Sequence, residues 1–265
     1  MESVIGYHDA KALLAWQIEL GATEAIGDVP VNRYELPEKS AKPASAAPPK
    51  PAVAPGPAAP EPTVDPVAAA KSAAANAGSL EGLKEALAAF PHCDLKRGAR
   101  NLVFSDGTPG ARVMIIGEAP GRDEDREGRP FVGRAGQLLD RMFAAIGLGR
   151  TPDRPEDGIY ITNVLPWRPP QNRDPTAEEI AMMRPFVARH VELANPDFVV
   201  LMGNISCDAG LEKRGITRLR GAWTTAYGKP ALPMVHPAYL LRTPSAKREA
   251  WADLLSLQAR LRGGA

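Results

Sequence analysis

The chain predicts an α/β fold: a three-layer α/β/α sandwich around a central, mainly parallel, four-stranded sheet. Three observations carry that expectation. Short apolar runs at 112–117, 158–163, 197–203 and 231–236 are bounded by turn residues, as buried parallel strands are. The segments between them, 133–146, 176–194 and 204–213, and a last one at 245–262, have helical spacing. The alternation itself is what a parallel sheet covered by helices on both faces requires.

Taken in order, residues 9–26 place Leu13, Leu14, Trp16, Ile18 and Leu20 at roughly helical spacing, with Asp9 as the expected N-cap. One such helix is too short to fold alone and must dock on the core or on a partner. Residues 30–66 hold eleven prolines among alanines, the composition of an extended, flexible linker. Two helices are expected at 66–76 and 79–89, the second capped by Ser79. The expected organisation is therefore an amphipathic helix (1–28), a Pro/Ala-rich flexible linker (29–70) and a folded domain (71–265).

Within that domain, three strands end in functional groups. Val113 to Ile116 breaks at Gly117 and delivers Glu118. Ile159-Tyr-Ile-Thr ends in Asn163, and Leu232-Pro-Met-Val ends in His236. Ligands of open α/β sheets bind at the carboxyl ends of the strands. Each residue alone has an ordinary explanation: a turn carboxylate, a loop asparagine, a capping histidine. The three together point to one composite site.

Composition narrows the field. The chain has 265 residues, 44% of them hydrophobic, enough for one good-sized domain with extra segments. No apolar run approaches the length of about 20 residues that spans a membrane. The N-terminus lacks the basic region and apolar core of a secretory signal. Cys93 and Cys207 are the only cysteines, too few for a disulfide scaffold or a four-thiolate site, and the expected compartment is the cytoplasm. The net charge is +1, from −4 over residues 1–70 (5 basic, 9 acidic) and +5 over residues 71–265 (27 basic, 22 acidic). A mildly basic domain permits a polyanionic partner without requiring one.

Several blocks carry a family resemblance. Gly117-Glu-Ala-Pro-Gly121, Glu124-Asp125 and Gly128-Arg-Pro-Phe131-Val-Gly-Arg-Ala-Gly-Gln-Leu-Leu139 come first. Ile161-Thr-Asn163, Arg168-Pro-Pro-Gln-Asn172-Arg and His236-Pro-Ala-Tyr-Leu-Leu-Arg242 follow. In this order and at these gaps, the set resembles the family 4 uracil-DNA glycosylases over about residues 88–260. The resemblance implies a base-excision repair enzyme that flips uracil from single- or double-stranded DNA and hydrolyses its N-glycosidic bond.

By that resemblance, Phe131 stacks on the flipped base. Asn163 reads its edge, since a side-chain amide can pair with O4 and N3–H together. His236 donates to O2 as charge grows on the leaving base. Glu118 is named as catalytic, with three roles open to it: positioning the water, contacting the base edge or holding the loop. Glu124, Asn172 and Ala119 line the substrate site; Ala119 stands where the best-known uracil glycosylases carry a water-orienting aspartate. Leu240 and its neighbours resemble the insertion loop, whose apolar wedge fills the gap left by the base, and Arg242 and Lys247 meet phosphates. Arg122, Arg126, Arg129 and Arg134 divide between phosphate contact and solvated surface.

Family 4 members usually hold a 4Fe–4S cluster on four cysteines. The corresponding positions here read Phe90, Cys93, Trp167 and Met183. Clusters of this kind need thiolates, so the sequence-based expectation is no cofactor and no metal. Two other functions compete with excision. One is covalent trapping of uracil-DNA through a histidine in a basic insertion, but Gln171-Asn172-Arg-Asp-Pro175 runs directly into Thr176 with no insertion. The other is a non-catalytic binding module whose N-terminal helix recruits a repair or replication protein. A monomer is expected, with DNA as partner and no membrane.

Overall fold

The computed structural model describes residues 6–19 and 65–263. The chain divides into two units, Met1–Ala59 and Pro60–Ala265. In the first, helix α1 spans Tyr7–Glu19 and exposes Leu13, Leu14 and Trp16. It begins ahead of Asp9, which therefore lies inside the first turn and not at the cap. Residues 20–26 of the expected helix, and the linker up to residue 64, lie outside the described residues.

The second unit opens with α2 (Pro66–Asn76) and α3 (Leu80–Ala89). Asp65 caps α2, accepting the Val67 N–H at 2.9 Å with Pro66 at the first helical position. Ser79 caps α3 through the Gly82 N–H at 3.1 Å. Helix α2 packs on α7 (Ala177–Ala194) and buries Ala70 and Ala74. The expected domain boundary at residue 71 thus cuts through a core helix. Small residues on one face let α2 approach α7 closely, and an alanine-rich segment beside a Pro/Ala linker hides that face in the composition.

Six strands form one sheet in the order β1-β3-β2-β4-β6-β5. The four expected strands are its centre: β2 (Val113–Gly117), β3 (Ile159–Asn163), β4 (Phe198–Met202) and β6 (Lys229–Met234), all parallel. The two additional strands, β1 (Asp106–Gly107) and β5 (Thr224–Ala226), are antiparallel edges. At two and three residues they are too short to show a period of two.

Helices cover both faces, and alternation along β2 assigns them. Val113 and Ile115 pack with Leu139 and Phe143 of α6 (Arg134–Ala144) and with Leu254 and Leu257 of α11 (Lys247–Leu261). Met114 and Ile116 pack on the opposite face with α2, α3, α7 (Ala177–Ala194) and α8 (Asn204–Leu211). Each large side chain so buried contributes about 1.5–3 kcal/mol. Four short helices, α4 (Leu95–Gly98), α5 (Arg122–Glu127), α9 (Ile216–Leu219) and α10 (Pro237–Arg242), sit in the connections. Strand β2 lies between β3, which follows it, and β4, which is reached by crossing back over it. A reversal of this kind opens a crevice at the carboxyl ends of the strands.

Candidate active site

The crevice is a cleft of about 620 Å³. Glu118, Asn163 and His236, the three strand-end residues, all line it. A fourth strand end contributes as well: β4 is followed by Gly203 and Asn204, both on the cleft wall. The sequence carried this signal, an apolar run followed by a glycine and a polar residue, in the same form as the run that ends at Gly117 and Glu118. Ala119, Glu124, Phe131, Asn172 and Arg242 line the cleft too.

The floor is built where β2 ends. Gly117 pairs with Asn163 across the parallel ladder. A Cβ on Gly117 would lie 2.3 Å from Asn163 Oδ1 and 2.5 Å from the Phe131 ring. Glycine is therefore the residue that lets an amide and an aromatic ring meet over the strand end. Phe131 is buried and has φ +55, a region that few bulky residues adopt. Asn163 is buried, and its Oδ1 has no hydrogen-bond partner among the described residues. An orphan acceptor of this kind costs about 1–3 kcal/mol unless a ligand satisfies it.

His236 joins the end of the β6 segment to the start of α10. It N-caps α10, with Nδ1 accepting the Ala238 N–H at 3.1 Å. The neutral ring must then carry its proton on Nε2. Burial, aided by the nearby positive charge of Arg242, pushes its pKa down to about 4. The imidazole lies 5.3 Å from the Phe131 ring, centroid to centroid, with the planes 26° apart.

The carboxylates differ in surroundings. Burial holds Glu118 above the usual carboxylate range; Asp174 adds to this and Arg214 opposes it. Glu124 accepts from the N–H groups of Gly121 (3.1 Å), Val132 (2.9 Å) and Gly133 (2.8 Å). Its acceptors are thus committed to tying α5 to the Phe131 loop. Although it borders the cleft, Glu124 is placed to fix the loop more than to touch a base. Asn172, in a left-handed turn with Gln171, accepts from Arg168 Nε at 2.8 Å. Asn204 Oδ1 accepts from the N–H groups of Gly215 and Ile216, bracing the loop that brings Arg214 to the cleft.

The rim requires one correction. Leu240 is 1% exposed and packs with Leu138, Val235, Ala246 and Ala250. It is a core residue and cannot serve as a wedge as it stands. Helix α10 turns Leu241 outward, 37% exposed, and puts Tyr239 on the cleft wall. The helical period explains the error: a one-residue shift in α10 exchanges buried for exposed, and a six-residue helix gives no pattern from which to set the phase. Arg242 and Lys247 are exposed. Of the four arginines near the first motif, Arg126 and Arg129 are held in ion pairs with Asp123, Glu127 and Asp106. Arg122 and Arg134 are exposed and make no ion pair among the described residues.

Comparison with known proteins bears on this cleft directly. The model of the uracil DNA glycosylase superfamily matches residues 104–255. A type-4 uracil-DNA glycosylase of Sulfurisphaera tokodaii is 38% identical over 180 residues, 64% of this chain and 79% of the relative. The type-4 enzyme of Archaeoglobus fulgidus is 37% identical over 66% of this chain and 89% of its own length. That of Thermotoga maritima is 37% identical over 63% and 85%.

These relatives overturn the expectation of no cofactor, because the type-4 family is one that carries a 4Fe–4S cluster. The expectation weighed missing ligands above membership. As a separate matter of fit, Phe90, Cys93, Trp167 and Met183 are all buried, and Phe90 packs edge-on against Phe186 at 5.3 Å. One thiol does not make a four-thiolate set. These positions do not fit a cluster bound in that way, and no catalytic step is derived through one. Among the described residues no helix is long and apolar enough to cross a membrane. With the family model covering more than half of its length, the chain belongs to the uracil DNA glycosylase superfamily.

Proposed function

We propose that this chain is a monofunctional uracil-DNA glycosylase of base-excision repair, which receives a flipped uracil in the cleft and hydrolyses its N-glycosidic bond. The observation that carries the reading is the buried, unpartnered Asn163 amide oxygen beside the Phe131 ring. A base lying on Phe131 would present its edge to Asn163, with N3–H donating to Oδ1 and O4 accepting from the amide NH2. Cytosine has the reverse pattern at those two atoms, so both amide groups would stay unsatisfied.

The near-parallel planes of Phe131 and His236 support the rest of the mechanism. A base stacked on the phenyl ring would lie roughly parallel to the imidazole, and the proposed contact runs from Nε2–H to O2. As the glycosidic bond lengthens, electrons flow into the base and negative charge gathers on O2. A donor fixed in advance stabilises that charge without reorganising. The sugar carbon becomes positive and takes a water, which Glu118 orients. Burial raises the Glu118 pKa above its ordinary value, and its place on the cleft wall lets it orient that water. The products are free uracil and an abasic site, with the backbone intact.

DNA is the partner in this reading, single- or double-stranded, met by Arg242, Lys247, Arg122 and Arg134. Leu241 takes the wedge role. Leu241→Ala should slow excision from duplex DNA by about five- to tenfold and leave single-stranded substrate nearly unaffected, because only a duplex has a stack to fill. Paired assays on the two substrates check this. The chain acts as a monomer in the cytoplasm, a compartment supported by two buried free thiols. The exposed Leu13, Leu14 and Trp16 of α1 would meet a repair or replication protein.

Asn163→Asp tests the base-reading assignment. A carboxylate offers acceptors only and repels O4, so uracil excision should fall at least about tenfold. A protonated carboxyl could donate to cytosine N3 and accept from its amino group, so slow cytosine release is expected as pH falls. Excision from matched uracil and cytosine oligonucleotides, read after alkaline cleavage, decides it. Wild-type uracil rates in the variant would place the reading residue elsewhere.

A further inference from the structure

Phe131 is held in its left-handed conformation by a residue far from the motif. Arg150, in the connection between α6 and β3, is 14% exposed. Its guanidinium donates to the carbonyls of Pro130 at 2.8 Å and Phe131 at 2.5 Å. Two carboxylates aim it: Asp106 of β1 at 2.7 Å and Asp140 of α6 at 2.8 Å. The backbone of Arg150 is fixed as well. Thr108 Oγ1 donates to its carbonyl, and the preceding Gly149 bridges to Gly158 at the start of β3.

The far side of the same loop is equally constrained. Glu124 holds the N–H groups of Val132 and Gly133. Gly136 leaves room for the Phe131 carbonyl, since a Cβ there would lie 1.6 Å from that oxygen. The peptide at Phe131 is therefore gripped from its carbonyl side by Arg150 and from its amide side by Glu124. A planar fork with donors on several nitrogens can serve two carbonyls and two carboxylates together, which an ammonium cannot do in one geometry.

We propose that Arg150 is a positioning residue for excision, holding the Phe131 ring on the cleft floor through the carbonyls of Pro130 and Phe131. It touches neither base nor phosphate. The inference rests on the excision reading for its effect on rate, and on geometry alone for its effect on the loop. Misplacing a contact surface by about 1 Å can cost about 100-fold in rate.

The test combines hydrogen exchange of the full chain with single-turnover excision, both run well below the lower melting temperature. In Arg150→Ala, amides 131–136 should exchange at least tenfold faster while those of β2 and β4 keep their protection. Excision at saturating enzyme should fall by about 10- to 100-fold, with the Kd for uracil-containing DNA within about threefold of wild type. Arg150→Lys should be intermediate. If Arg150→Ala does not fold, Asp140→Asn removes one anchor of the guanidinium and should shift both readings in the same direction by less. Unchanged exchange at 131–136 overturns the proposal, and so does faster exchange with an unchanged excision rate. If the wild-type chain itself excises no uracil, the functional reading fails and the exchange measurement alone decides whether Arg150 holds the loop.

Discussion

His236→Ala should slow single-turnover excision of uracil by about 100-fold or more, the loss seen when one preorganised donor to a developing anion is removed. That factor is about 2.7 kcal/mol of transition-state stabilisation. Affinity for uracil-containing DNA should change little, because the Nε2–H contact strengthens chiefly as charge reaches O2. The pH behaviour follows from the direction of the pKa shift. With a pKa pushed down to about 4, His236 is already neutral at pH 6 and stays neutral as the pH rises. Wild-type excision should therefore show no limb near the ordinary histidine value of about 6.5. Only as pH approaches 4 does a second proton reach the ring. It would land on Nδ1, turn an acceptor into a donor facing the Ala238 N–H, and release the cap of α10. A rate profile that runs from pH 9 down to about 4, with the variant alongside, checks both statements. A wild-type rate in His236→Ala would mean that another group supports the leaving base.

How much of this was legible in the sequence depends on the range of the signal. Strand ends could be read because the β-branched run Val113–Ile116 stops at a glycine, and a stop of that kind is local. The capping role of His236 and its proposed catalytic role look like alternatives in the sequence, yet they are compatible: the cap bond is what puts the proton on Nε2. Phase within a short helix has no readable pattern, so the sequence does not show that Leu240 is buried and Leu241 exposed. The edge strands β1 and β5 exist through their pairing with β3 and β6, not through any pattern of their own. Arg150 had no signal at all. Its partners are carbonyls 19 and 20 residues upstream and carboxylates at 106 and 140, and only the folded chain brings them together. Membership of a family proved more legible than its cofactor, because motif order survives substitutions that remove individual ligands.

Gly117→Ala should reduce excision by about 100-fold or more, although it adds a single methyl group. The methyl would be placed 2.3 Å from Asn163 Oδ1 and 2.5 Å and 2.6 Å from two carbons of the Phe131 ring. Something must move, and the options are few. The backbone of Gly117 is fixed in the ladder, with its carbonyl accepting the Val164 N–H at 3.0 Å. Phe131 is gripped through its own carbonyl by Arg150, and Gly136 closes on the same atom. Asn163 and the phenyl ring are left to turn, and these are the two surfaces proposed to read and stack the base. The stability cost should be that of modest overpacking, about 1–3 kcal/mol, so the variant should fold with its melting temperature lowered by about 2–12 °C. Gly78→Ala is the matched control, since nothing lies within 4 Å of a Cβ at that position. Single-turnover excision and thermal melting of both variants give the comparison. The expected result is a folded Gly117→Ala protein with little activity beside a fully active Gly78→Ala protein. Full activity in Gly117→Ala would show that the base does not occupy the floor formed by Phe131 and Asn163.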